Sequence, residues 1–219
     1  MKVTLKTITP NAEINIVEIA RVSSKREDKT EEPEKLIRYL LKNGHFSPLE
    51  HSYMTMEIVT SKAIGIQLLR HRSFTFQELS QRYAIVDEFE PIELRKQADK
   101  NRQSSEEVFD PEINSFIDLY QEEQEDIDPA SYVISEYLRV GKHLYNHLIS
   151  AGVAKECARM ILPMCTQTTI FMTGSVRSWI HMLQIRDDAH AQKEVQLIAK
   201  EIKKIFKEQL PIISNALNF

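Results

Sequence analysis

A chain of 219 residues, 42% hydrophobic and 27% charged, is long enough to bury a substantial core, and its composition is that of an ordinary soluble globular protein. A formal net charge of -4 leaves no surplus of Lys and Arg to neutralise a phosphate backbone, which argues against non-specific nucleic-acid binding. Two cysteines, Cys157 and Cys165, imply no disulfide framework and point to a reducing cytoplasm; both are expected to be buried structural thiols.

Met1 to Lys6 lacks the apolar core of a signal peptide, and no apolar run is long enough to span a membrane, so a cytoplasmic protein is expected. The five glycines are spaced so that neither a G-x-G-x-x-G nor a Walker-type loop can be built. Any nucleotide must then be held by side chains and helix ends.

In chain order, Val3 to Ile8 alternates apolar and polar residues and reads as a strand. A helix is expected over Glu13 to Val22, then a charged loop over Lys25 to Asp28. A second helix starts near Thr30, with Pro33 in its first turn, and ends at Gly44. The loop Gly44 to His51 places His45 and His51 near Glu50, but with no standard zinc spacing. Ser52 to Thr60 reads as a strand, and Ser61 as the cap of a helix over Lys62 to about Leu69.

That helix delivers Arg70-His71-Arg72-Ser73-Phe74-Thr75-Phe76-Gln77-Glu78-Leu79-Ser80-Gln81-Arg82-Tyr83. Arginine presents a fixed fork of donors suited to phosphate or carboxylate. Glu78 alone cannot neutralise Arg70, Arg72 and Arg82, so the stretch reads as an anion site, with Phe74, Phe76, Leu79 and Tyr83 expected to hold the charges against a core.

Residues from Ala84 to Glu107 are expected to be irregular, and Asp110-Pro111 and Asp128-Pro129 each look like a helix start; the second helix runs to about Ser150 and stops before Gly152. Gln121 to Asp126 is an acidic, exposed run. Val153 to Leu162 reads as a short helix closed by Pro163, with Arg159 in need of a partner. A strand over Thr169 to Thr173 leads to a helix capped by Ser175, on which Arg177, His181 and Gln184 share one face and Trp179, Met182, Leu183 and Arg186 another. Arg186 and His190 lie four apart and would face one ligand if the helix runs on. Glu194 to Leu210 is an amphipathic packing helix, followed by a short piece over Pro211 to Leu217. Helices and strands mix without a βαβ rhythm, so the expected fold is α+β: one domain over 1–219, a mostly antiparallel central sheet flanked by helices, and a variable segment at about 84–128.

Arg70-His71-Arg72, followed by seven residues and then Ser80, with Glu78-Leu79-Ser80-Gln81-Arg82-Tyr83 continuing the pattern, resembles the signature of the flavin-dependent thymidylate synthases. The segments Glu156-x-x-Arg159-x-x-Leu162-Pro163 and Ile185 to Gln192 resemble further motifs of that family. The chain departs from the usual pattern at Thr75, Gln77 and His181.

The resemblance implies a flavoprotein methyltransferase of dTMP biosynthesis. It would convert dUMP to dTMP with methylenetetrahydrofolate as one-carbon donor, FAD as hydride carrier and NADPH as reductant, in a homotetramer with sites between subunits. It implies FAD contacts from Ser23, His45, Ser47, Glu50, Arg70, His71, Arg72, Ser73, Glu78, Ser175, Arg177, His181 and His190. It implies dUMP contacts from Gln67, Arg70, Glu78, Leu79, Ser80, Gln81, Arg82, Arg159 and Arg186. Arg186 and His45 are the expected catalytic residues, Arg186 as the cation that stabilises charge developing on uracil. No resident metal is implied. Two other readings stay open at this point: a metal-dependent nucleotide phosphohydrolase using His45, Glu50, His51 and His71, and a non-catalytic nucleotide or flavin sensor.

Overall fold

A computed structural model describes residues 1–23, 32–101, 103–114 and 127–219. The first elements are β1 (Lys2–Ile8), α1 (Ala12–Ala20), α2 (Pro33–Lys42), β2 (Tyr53–Ser61), α3 (Lys62–Leu68) and β3 (Thr75–Glu78). The middle of the chain forms β4 (Arg95–Gln97), β5 (Ser105–Val108), β6 (Glu112–Asn114), β7 (Ile127–Pro129), α4 (Ala130–Ser150) and α5 (Lys155–Ala158). The last third forms β8 (Gln167–Ser175), α6 (Val176–Arg186), α7 (Lys193–Gln209) and α8 (Pro211–Leu217). The architecture is α+β, as expected. A four-stranded sheet has the order β1-β2-β8-β3, with β1–β2 and β3–β8 paired antiparallel.

The chain groups into two compact units. One comprises Met1–Val59, Ile66–Glu78 and Thr169–Phe219; the other comprises Thr60–Gly65 and Leu79–Thr168.

In the first unit, period-two alternation sends Met54, Met56 and Ile58 of β2 inward, and Ile170 and Met172 of β8 likewise. The stripe Val195, Ile198, Ala199, Ile202 and Phe206 of α7 is fully buried, as its spacing predicts. Trp179 of α6 is wholly buried and its indole N–H donates to the Met54 carbonyl at 3.1 Å. Ser175 caps α6, its hydroxyl accepting from the Ser178 backbone N–H at 3.2 Å. Gly44 follows α2 with φ 69°, the left-handed position glycine fills after a helix.

Several expectations change. The first helix ends at Ala20 and gives way to a 3-10 turn over Arg21–Ser23. The expected start at Thr30, and the loop at Lys25 to Asp28, lie outside the described residues. Ser61 stands directly before α3 and also ends β2, and its backbone N–H donates to Glu90 Oε2 at 2.7 Å. Asp110-Pro111 leads into strand β6 rather than a helix, while the Asp110 carboxylate accepts from the Ser131 backbone N–H at 2.8 Å in the first turn of α4. The run at Gln121 to Asp126 lies outside the described residues. The segment after Ala84 is more ordered than its polarity suggests: β4 and β5 form a hairpin, and Val86 and Glu90 are buried. Cys157 is exposed, because α5 is a single turn; Cys165 is half-buried, and burial pushes its thiol pKa up.

Candidate functional site

Phe74 seats the arginine-rich loop after α3 on the core. Phe74 is 8% exposed and meets Trp179 edge to face with ring centroids 4.7 Å apart. It lies so close to the β8 backbone that a Cβ on Gly174 would sit 2.4 Å from Phe74 Cδ1. Glycine at 174 is what gives the ring its seat. The His71 ring also meets Phe74 edge to face, at 6.1 Å.

That packing presents His71 to Arg186 at the end of α6. Arg186 Nε donates to His71 Nε2 at 2.9 Å, and Arg186 Nη2 reaches the Gln67 carbonyl at 3.5 Å. A guanidinium only donates, so His71 Nε2 must accept and the ring must be neutral, with its proton on Nδ1. Burial first, and then the positive charges of Arg186 and His181, lower the His71 pKa from 6.5 to about 4. The Gln67 side chain is itself held, its Nε2 donating to Gln192 Oε1 at 2.5 Å.

Beside this pair opens a cleft of about 440 Å³ lined by Phe46, Glu50, Ser73, Arg177, Ser178, Ile180, His181 and Gln184. Glu50 organises one wall: Ser175 Oγ donates to Oε2 at 2.6 Å and Arg177 Nη1 to Oε1 at 2.8 Å. The Arg177 guanidinium lies 5.7 Å from the Phe46 ring centroid. Ser178 Oγ donates to the Ser73 carbonyl at 3.2 Å, tying the loop to α6. Arg70 and Arg72 are exposed, and among the described residues their guanidiniums have no ion-pair partner. The result is an amphipathic cleft with a bound-up cation in its wall and two uncommitted cations on the adjoining loop.

The second unit carries its own polar cleft, of about 340 Å³, lined by Ser80, Arg82, Tyr83, Ala154, Lys155 and Glu156. Arg82 Nε donates to Glu156 Oε2 at 3.1 Å, and Nη2 lies 3.0 Å from the same oxygen as an ion pair. Lys155 Nζ donates to the Tyr83 carbonyl at 2.9 Å, and Arg159 Nε approaches the Glu156 carbonyl at 3.4 Å.

The Thy1 family model, described as thymidylate synthase complementing protein, matches residues 4–212. Over 200 residues the chain is 40% identical to the flavin-dependent thymidylate synthase of Synechocystis sp., a match covering 91% of this chain and 86% of that protein. It is 40% identical over 185 residues to the probable flavin-dependent thymidylate synthase of Paramecium bursaria Chlorella virus 1, covering 84% and 80%. With the flavin-dependent thymidylate synthase of Thermosipho africanus it shares 36% over 198 residues, covering 89% and 81%. The chain belongs to the flavin-dependent thymidylate synthase family.

Within this family member, the structure brings together many of the residues singled out from sequence. Glu50, Ser73, Arg177 and His181 line one cleft, His71, Arg186 and Gln67 form one hydrogen-bonded cluster, and Ser80 and Arg82 line the other cleft. Others stand apart. His45 is exposed with its ring edge-on to Tyr39 at 5.7 Å, and Ser47 is exposed at the start of a 3-10 turn. Ser23 closes the 3-10 turn after α1, and its side chain lies outside the described residues. Gln81 is buried, and Glu78 is half-buried at the end of β3.

Two expectations are corrected. Helix α6 stops at Arg186, so His190 does not share its face; it is 84% exposed and its Nδ1 lies 2.7 Å from Asp188 Oδ1. Of the four apolar residues expected to seat the arginines, only Phe74 is buried; Leu79 is 38% and Tyr83 85% exposed.

Sequence reasoning also passed over Glu156 as the partner of Arg82, although it opens the Glu-x-x-Arg pattern. Phe46 and Ser178 were missed as cleft residues; Ser178 carries the turn-spacing signal, three residues after the Ser175 cap. Among the described residues no cluster of three His, Cys, Asp or Glu has the arrangement to hold a metal ion. No helix among them is long and apolar enough to cross a membrane.

Proposed function

We propose that this chain methylates dUMP to dTMP, taking the one-carbon unit from methylenetetrahydrofolate and reducing equivalents from NADPH through FAD. Family membership supports the reaction class. The observation that carries the residue-level reading is the 2.9 Å bond between Arg186 and His71, which joins two motifs 115 residues apart.

The donor set suits an anionic flavin dinucleotide. Arg177, Arg70 and Arg72 supply the cations its pyrophosphate needs, and the cleft offers the apolar faces of Phe46 and Ile180 with the polar groups of Ser73 and His181 for the ring system. Ser23, His45, Ser47, Glu50, His71, Glu78, Ser175 and His190 complete the proposed flavin set. When bound, the flavin supplies the hydride that reduces the transferred carbon to a methyl group.

For dUMP, Ser80, Arg82 and Arg159 are the proposed phosphate donors, with Gln67, Arg70, Glu78, Leu79 and Gln81 completing the set. Arg186 is the proposed electrophile. Neutral His71 accepts from its Nε and the Gln67 carbonyl from Nη2, which fixes the plane of the guanidinium and leaves further N–H groups for a uracil oxygen. Negative charge placed on that oxygen when the uracil ring ionises, which makes C5 nucleophilic toward the one-carbon unit, is then met by a cation that need not reorganise. His45 is the second residue proposed for the chemistry. The working unit is proposed to be a cytoplasmic homotetramer, with the chain acting as one catalytic domain.

The test is direct. The purified protein should show the flavin absorbance bands, bleach with NADPH, and release tritium from C5-labelled dUMP. Arg186→Ala should abolish tritium release while far-UV circular dichroism is unchanged. Turnover retained in that variant would remove Arg186 from the mechanism.

A further inference from the structure

The second cleft contains an acid where an anion-binding site would be expected to exclude one. Arg82 hydrogen-bonds Glu156 Oε2 through Nε alone, at 3.1 Å, while Nη2 stands 3.0 Å from the same oxygen, with the two side chains 67% and 53% exposed. A guanidinium fork matched to its ligand spreads two N–H groups over two oxygens, so this pairing uses the fork incompletely. Lys155 stands in the same cleft lining, and among the described residues its ammonium is held only by the Tyr83 carbonyl, at 2.9 Å. The Ser80 hydroxyl lines the cleft too and has no hydrogen bond within the described residues. Arg82 and Lys155 against Glu156 leave the lining with a net positive charge.

We propose that Glu156 is a competing anion: it occupies Arg82 in the unliganded protein and is displaced by a phosphate monoester that Arg82, Lys155 and Ser80 then hold together. This rests on the reading of the chain as a dUMP-using enzyme, and adds to it two residues, Glu156 and Lys155. The physical logic is a difference of affinities. An exposed carboxylate pair is weak, so a dianion with two oxygens for the fork and a second cation beside it displaces the carboxylate readily. A nucleoside without phosphate has nothing to offer Arg82, and leaves the pair closed. Glu156 thereby sets the cleft's preference for a monophosphate over the bare nucleoside.

The experiment measures equilibrium binding of dUMP, deoxyuridine and inorganic phosphate to the full-length protein, to Glu156→Gln and to Lys155→Gln, with tritium release assayed in parallel. Gln is nearly isosteric, and the position is exposed. Glu156→Gln should tighten dUMP and inorganic phosphate by up to about fivefold, the ceiling for releasing an exposed ion pair, and leave deoxyuridine unmoved. Lys155→Gln should weaken both phosphate ligands and spare deoxyuridine. Weaker or unchanged phosphate binding in Glu156→Gln overturns the proposal and makes Glu156 a support for Arg82. If the unmodified protein binds inorganic phosphate but not dUMP and releases no tritium, the functional reading falls instead, and the phosphate arm still decides the role of Glu156.

Discussion

The two clefts are built on different physics. In the first unit, Arg186 is positioned through packing: Phe74 is seated on Gly174 and against Trp179, His71 meets that ring, and His71 in turn accepts from Arg186. In the second, exposed Arg82 and half-buried Lys155 are held by one ion pair and one carbonyl contact. A packed aromatic shell fixes geometry before any ligand arrives, whereas a solvated ion pair exchanges partners at small cost. The difference matches the tasks proposed for them. A group that stabilises a transition state benefits from rigidity, and a group that captures a phosphate benefits from being replaceable.

The largest expected effect comes from breaking the packed side of this contrast. Phe74→Ala removes a buried aromatic and should cost roughly 3–5 kcal/mol, with loss of tritium release beyond what lowered stability explains. Gly174→Ala attacks the same contact from the backbone side, since its methyl would meet Phe74 Cδ1 at 2.4 Å, and should cost about 1–3 kcal/mol. Because the two changes share one contact, the double variant should fall well short of the sum. Urea unfolding of the four proteins measures this, and strict additivity would show that Phe74 and Gly174 do not depend on each other.

A pH experiment addresses the His71 link. Its folded pKa is about 4 against an ordinary 6.5, so between those values the unfolded chain binds the proton and the folded chain does not. Stability from this group is therefore complete above pH 6.5 and is lost as the pH falls toward 4. His71→Gln keeps an acceptor for Arg186 without the titration. Urea midpoints at about pH 7 and about pH 5 should fall further for the unmodified protein than for the variant, while titrations common to both cancel. Parallel losses would mean that His71 titrates normally.

The same contrast explains what could be read from sequence. Local periodicity revealed the buried stripe of α7, the alternation of β2, the Ser175 cap and the shared face of Arg177, His181 and Gln184, because each depends on residues within a turn or two. The placement of His190 was not legible. The Asp188 carboxylate accepts from the His190 backbone N–H at 2.8 Å, a local turn that competes with continuing the helix, while Asp187 is drawn to Lys203 at 2.7 Å. Tyr83 and Leu79 looked apolar enough to pack, but β3 ends at Glu78, and the chain turns back through the bonds from Tyr83 and Ala84 N–H to the Ser80 carbonyl. Asp110 meets the first turn of α4 from 21 residues upstream, and Glu156 meets Arg82 across 74. Pairings over such distances leave no periodic trace. The arginine-rich motif announced that an anion is wanted; it did not announce that the protein supplies one of its own.

The smallest expected effect is the most discriminating for the second cleft. If Glu156 and Arg82 form a structural strut, removing either should destabilise the protein as a buried pair does. If the pair is an exchangeable contact, Glu156→Gln and Arg82→Gln should each shift unfolding free energy by no more than about 0.5–1 kcal/mol, the range of exposed ion pairs. Added salt should reduce even that difference, since charges this exposed are screened over roughly 10 Å at 0.1 M. Both variants should thus unfold almost with the unmodified protein while diverging from each other in phosphate affinity, Arg82→Gln losing it and Glu156→Gln gaining it. A stability loss of several kcal/mol in either variant would place this ion pair with the packed elements of the first unit, and the contrast between the two clefts would fail.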